Sequence, residues 1–142
     1  MNLIYNGYPP EYTKPMEQEL VHMGVTPLHS SQEVEKVLGD GKTTLLIVNS
    51  VCGCAAGNAR PAIALAMKHA KKPENNVTVF AGVDREATQK AREYVKQYEP
   101  SSPSMFLFKD GKCVFALERK DIQGRDPHEL ATKLSAAFDA YC

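Results

Sequence analysis

At 142 residues the chain is long enough to bury roughly 70% of its unfolded surface in one core, and a single domain over residues 1–142 is expected, with 1–24 as an N-terminal helical extension. Seventeen Lys and Arg balance seventeen Asp and Glu without a basic block, so charge gives no reason to expect a nucleic-acid partner. No apolar stretch nears the roughly 18 residues that span a bilayer, so no membrane partner is expected.

Met1 to Glu11 lacks a basic segment followed by an apolar one, so no secretory leader is expected and the chain reads as cytoplasmic. Thr13 is placed to cap a short helix with Pro15 in its first turn and Met16, Leu20 and Met23 on one face, ended by Gly24. Val25 to Leu28 is a short strand that Pro27 confines to an edge or bulge. Ser30 and Glu33 form a capping box for a helix carrying Val34, Val37 and Leu38, stopped near Gly39 to Gly41. Thr43 to Asn49 is a continuous apolar run, the pattern of a strand buried on both faces.

After Cys52-Gly53-Cys54 a helical region carries Ala62, Leu65, Ala66 and His69 and ends before Pro73. Val77 to Gly82 is a second buried strand. Asp84 precedes a helix to about Tyr98, with Ala87, Ala91, Val95 and Tyr98 on one face and a Glu86–Lys90 pair outside. Met105 to Lys109 and Cys113 to Leu117 are strands, and Asp110-Gly111 between them suits a type I′ turn. Asp126, Pro127 and Glu129 open a last helix packed through Leu130, Leu134, Phe138 and Tyr141. The three middle strands are joined by helices, which implies parallel crossovers, and the last two form a hairpin. The expected fold class is α/β: a central mixed sheet with helices on both faces.

Chemistry concentrates at Cys52 and Cys54. Residues between a strand and the following helix lie at the carboxyl end of the sheet, where sites of open α/β folds form. A helix starting beside Cys52 favours its thiolate through unpaired N–H groups and the helix dipole. A thiol with a pKa near ~8.5 is about 3% ionised at pH 7, and one lowered to ~7 is half ionised. Cys52 is therefore the expected nucleophile and Cys54 the resolving thiol, with Gly53 relieving backbone crowding in the closed ring. The narrow ring of a Cys-x-Cys disulfide is strained and more readily reduced than a Cys-x-x-Cys one, which suits exchange better than strong reduction. Pro103 at a strand start is a place where a cis peptide is tolerated. It would leave the backbone of Ser102 open to an incoming chain, and an ordinary Pro-Ser loop is the competing reading.

Other readings compete. Thiolates also hold soft metals, but a closed zinc site needs about four ligands. Cys113, Cys142 and four scattered His supply none at ligand spacing, so no metal is expected. Cys113 reads as a small buried apolar residue, and Cys142, the last residue, as mobile and either idle or an extra resolving thiol. Pro61 conflicts with a helix that starts at Cys54, because it removes an interior hydrogen bond. The favoured resolution is a start close to the cysteines with a kink.

The order of elements, the cysteines after a central strand and the stretch Pro103 to Lys112 (PSMFLFKDGK) resemble the thioredoxin fold. The chain has no Trp and no Cys-x-x-Cys, unlike thioredoxin itself. It is more similar to the bacilliredoxins, through Val48 to Gly57 (VNSVCGCAAG), Ala59-Arg60-Pro61, Val77 to Gly82, Pro100 to Ser104 and the ending Ala137-Phe138 with Tyr141-Cys142. The resemblance implies a thiol–disulfide oxidoreductase with Cys52 and Cys54 as catalytic residues, Gly53, Ser102 and Pro103 as their support, and no cofactor beyond the dithiol. It further implies that Cys52 removes bacillithiol, or a similar low-molecular-weight thiol, from S-thiolated client proteins. Arg60 is then a candidate to steady a thiolate or to contact an acidic group of that thiol, against the plainer reading of a solvated helix-face residue. Disulfide isomerisation and non-enzymatic soft-metal binding are the alternatives.

Overall fold

The structure, a computed structural model, describes residues 8–142; the part of the expected extension before Tyr8, with most of the stretch read for a leader, lies outside them. The elements are α1 (Pro10–Val21), β1 (Thr26–Pro27), α2 (Ser31–Leu38), β2 (Thr44–Asn49), a π-helical turn (Ala55–Ala59) continuous with α3 (Arg60–Ala66), β3 (Asn75–Phe80), α4 (Arg85–Arg92) with a 3-10 turn (Glu93–Val95), β4 (Ser104–Lys109), β5 (Lys112–Leu117), α5 (Arg119–Ile122) and α6 (Pro127–Tyr141).

The five strands form one sheet in the order β1-β3-β2-β4-β5. All six residues of β2 are buried, because it is central and covered on both sides. Alternation along the strand divides them. Leu45 and Ile47 join Met105 and Leu107 under α3 and α6, and Leu46 and Val48 join Val77, Val79, Phe106 and Phe108 under α2 and α4. The mixed sheet with helices on both faces is as expected, and Pro27 lies on an edge strand.

Local signals decided several elements. Ser30 and Glu33 make the reciprocal capping box, and Asp110 and Gly111 have φ of 52° and 80°, as a type I′ turn requires. Others differ. β2 and β3 are parallel, but β4 runs antiparallel to β2, so the crossover expected into β4 does not exist. The chain leaves α4 through the 3-10 turn and a further loop, which turns it back before it rejoins the sheet. α1 begins at Pro10 with Pro9 as its cap, so Pro15 is interior. Thr13, instead of capping, is buried and turns its hydroxyl back to the Pro9 carbonyl at 3.4 Å. Lys90 pairs with Glu93 at 3.1 Å rather than with Glu86.

Candidate active site

β2 ends at Asn49, and Ser50 to Cys54 carry the chain from the sheet into the helix at the carboxyl end of the parallel strands. Helical geometry starts at Gly53 and Cys54, and the Cys52 carbonyl accepts from Ala55 N–H at 3.0 Å and from Ala56 N–H at 3.3 Å. The start beside the cysteines is as favoured, and the structure shows how it accommodates Pro61. The wide turn Ala55–Ala59 carries an Arg60 N–H bond to the Ala55 carbonyl, five residues back. Proline disrupts the ordinary i to i−4 ladder, and a π turn placed before it is the known way to absorb such a break.

The two thiols are free and partly exposed, and their environments drive them apart. Burial raises the Cys52 pKa, but hydrogen bonds from the Cys54 thiol, the Ala55 N–H, the Ser50 hydroxyl and the Cys54 N–H outweigh it, and the net direction is down. The Cys54 thiol is pushed up, by burial first and then by its hydrogen bond to Cys52 and the Cys52 charge; the Arg119 guanidinium opposes this. The surroundings thus favour the thiolate at Cys52 and the protonated thiol at Cys54.

Ser50 and Arg119 are site residues that the sequence reading missed. Ser50 Oγ also accepts from the Cys52 N–H at 3.2 Å, so one hydroxyl fixes both the backbone and the sulfur of Cys52. Arg119 starts α5, far along the chain, and its Nη1 donates to the Ser102 carbonyl at 3.4 Å. The peptide bond between Ser102 and Pro103 is cis, and β4 begins at the next residue beside β2, so this loop shares the sheet edge with Cys52. The Ser102 carbonyl accepts this one long, exposed bond from Arg119.

Arg60 is neither solvated nor at an open anion contact. It is only 2% exposed. Its Nε donates to Glu19 Oε1 at 3.0 Å, and its Nη1 to Asn49 Oδ1 and to the Ser50 carbonyl, both at 3.0 Å. Asn49 Oδ1 also accepts from Ser50 N–H at 2.9 Å. Arg60 therefore bolts α1 to the loop that presents Cys52. The role expected of Gly53 belongs to the closed Cys52–Cys54 ring, and the thiols here are free. The Gly53 φ is outside the left-handed region and a Cβ there would meet open space, so the dithiol form does not require glycine.

The other cysteines lie far away. Cys142 accepts a hydrogen bond from the Thr43 hydroxyl, and burial raises its pKa. Its N–H bonds the Phe138 carbonyl at 2.8 Å, so the chain end is tied to α6 and not loose. Cys113 pairs across from Phe108, which is adjacent to β2 at Thr44. Thr44 to Asn49 is about 17 Å of strand, so neither thiol reaches Cys52 within the molecule. Among the described residues one trio of metal-type donors gathers, Glu17, His29 and Asp84, and it contains no thiol. His29 Nδ1 and Nε2 already face Asp84 at 3.0 Å and Glu17 at 3.6 Å, the geometry of a charged clasp. No described helix is long and apolar enough to cross a membrane.

Comparison with known proteins agrees with this geometry. Residues 8–142 match the family described as "Disulphide isomerase". A bacilliredoxin of Staphylococcus epidermidis is 47% identical over 142 residues, covering 100% of this chain and 98% of that protein. One of Bacillus licheniformis is 47% identical over 144 residues, covering 100% of both. Among solved structures, a protein with a thioredoxin fold superposes with a TM-score of 0.62 at 17% identity, covering 80% of this chain and 92% of that one. Thioredoxin O2 of Arabidopsis thaliana gives 0.54 at 17% identity, with 82% and 96% covered. The chain belongs to the bacilliredoxin family and is a thiol–disulfide oxidoreductase with a thioredoxin-like fold.

Proposed function

We propose that this enzyme removes bacillithiol, or a similar low-molecular-weight thiol, from S-thiolated proteins, with Cys52 attacking and Cys54 resolving. The observation that carries the reading is the opposite direction of the two thiol pKa values. The Cys52 thiolate attacks the small-thiol sulfur of the client disulfide. A Cys52–small-thiol disulfide forms, and the client cysteine leaves as thiolate and takes a proton. Cys54 then loses its proton and attacks the Cys52 sulfur, which releases the small thiol and closes the Cys52–Cys54 disulfide. The client–small-thiol disulfide has gained two electrons, one on each of its sulfurs, and the Cys52–Cys54 pair has lost two, so an external thiol reductant resets the pair. No cofactor beyond the dithiol takes part. The partners are S-thiolated clients and the small thiol, in a compartment that keeps thiols reduced, the cytoplasm.

The test is removal of bacillithiol from a thiolated client, followed by mass spectrometry. Cys52→Ser abolishes removal. Cys54→Ser retains the first transfer and accumulates one small-thiol adduct on Cys52. Activity that survives Cys52→Ser overturns the assignment. The description of the matching family favours a second reading, isomerisation of mispaired protein disulfides. Parallel assays on a bacillithiolated and a mispaired protein decide between them, and the first is expected to be faster.

A further inference from the structure

A cleft of about 550 Å³ opens between α4 and the loop that leads to Pro103, lined by Gly82, Arg85, Thr88, Gln89, Arg92 and Pro100. Its volume is that of small-molecule sites, which run ~300–1,000 Å³. Four of its residues recur at three- and four-residue spacing along α4, so they form one stripe on the helix surface. Among the described residues the lining carries two positive charges, Arg85 and Arg92, and no negative one.

The cleft also connects to the thiols. Gly82 follows β3, and its neighbour Ala81 N–H bonds the Asn49 carbonyl at the end of β2, at 3.1 Å. Arg92 Nη2 donates to the Ser101 carbonyl at 3.4 Å. Ser101 Oγ accepts from Arg119 N–H at 3.4 Å, and Arg119 favours the Cys54 thiolate. One end of the cleft thus abuts the Ser101–Pro103 loop that borders the reacting sulfurs. Arg92 is half-buried, so an anion there interacts more strongly than at an open surface.

We propose that this cleft seats the carboxylate-bearing end of the low-molecular-weight thiol, held by Arg85 and Arg92 while its sulfur reaches Cys52. Resting on the exchange reaction proposed above, it makes that reaction selective for acidic small thiols. A neutral thiol finds no counter-charge in the cleft, whereas bacillithiol, which carries acidic groups, does.

The experiment compares one client peptide carrying either bacillithiol or uncharged 2-mercaptoethanol as its mixed disulfide, with wild type and Arg85→Gln/Arg92→Gln. The ratio of kcat/KM for the two adducts is the readout, because any shift of the Ser101 loop affects both alike and cancels. Loss of charge-assisted bonds lowers the ratio by about tenfold. An unchanged ratio overturns the cleft. A ratio that falls only when the client peptide itself is acidic also overturns it, since the arginines then serve the client. A wild type inactive on both adducts overturns the exchange reading instead. The cleft is then judged by titrating malate, a thiol-free dicarboxylate, against the labelled protein: amide shifts along α4 that vanish in the double variant support it, and their absence in wild type overturns it.

Discussion

Replacing Arg60 by Met keeps most of the aliphatic stem and removes the guanidinium that joins α1 to the cysteine loop. The Glu19 partner is 50% exposed, so that ion pair is screened and contributes at most ~1 kcal/mol. The inner bonds weigh more. Asn49 Oδ1 keeps the Ser50 N–H as donor, whereas the buried Ser50 carbonyl loses its Arg60 donor, a loss of about 1–3 kcal/mol. The sum is about 3 kcal/mol, or a fall in Tm of roughly 10 °C for a domain of this size. Thermal and urea unfolding of the reduced protein measure it. The same variant loosens Ser50, whose hydroxyl lowers the Cys52 pKa, so the ultraviolet titration of the Cys52 thiolate moves to higher pH. A Tm within about 2 °C of wild type refutes the energetic argument. A large fall in Tm with an unmoved titration refutes the link from Arg60 to the thiol.

Ser50→Ala removes one of the hydrogen bonds that favour the Cys52 thiolate; the thiolate midpoint rises and the rate of alkylation of Cys52 at neutral pH falls by severalfold, while an unmoved midpoint contradicts the role given to the hydroxyl. His29 has a raised pKa, caused first by its hydrogen bond to Asp84. A folded pKa raised above the unfolded one gives stability that is fully present below ~6.5 and is lost as pH rises through the folded value. Urea unfolding of His29→Gln against wild type should therefore show a larger deficit at pH 5.5 than at pH 8.5, and a deficit independent of pH removes the charged clasp from consideration.

What the sequence made legible was what neighbouring residues decide. The run Thr43 to Asn49 is apolar because both faces of β2 are covered, and the Ser30–Glu33 box and the Asp110-Gly111 turn are complete within four residues. The cysteine pair was conspicuous by spacing alone. The direction of β4 was not, because a helical connection of this length serves a parallel return and an antiparallel one equally well. Arg60 gave no local sign of burial: its partners Glu19, Asn49 and Ser50 come from α1 and from the end of β2. Arg119 reaches the site only because β5 runs back toward the carboxyl end of β2. Ser50 had a weak signal that could have been used, since two polar residues, Asn49 and Ser50, close an apolar strand immediately before the thiols. In the free dithiol the Gly53 backbone is outside the left-handed region and its Cβ space is empty, so any use of its backbone freedom belongs to the closed ring.

The pairing of the two thiols also sets the order of the proposed cycle. Three causes bear on the raised Cys54 pKa from its surroundings, and two of them, its hydrogen bond to Cys52 and the Cys52 charge, exist only while Cys52 is a thiolate. Once Cys52 carries the small thiol as a disulfide, its sulfur is neutral and a poor acceptor. Burial still holds the Cys54 pKa up, but the Arg119 guanidinium then acts without an opposing charge. The pKa of Cys54 therefore falls upon thiolation of its neighbour, and the resolving thiolate forms only after the attack it must follow. The close Cys-x-Cys spacing thus makes a free dithiol that attacks through one sulfur and a thiolated enzyme that reacts through the other. A mutation that neutralises Arg119 should lengthen the life of the mixed disulfide more than it slows its formation, because the positive charge opposes the Cys54 shift and has no place among the causes at Cys52.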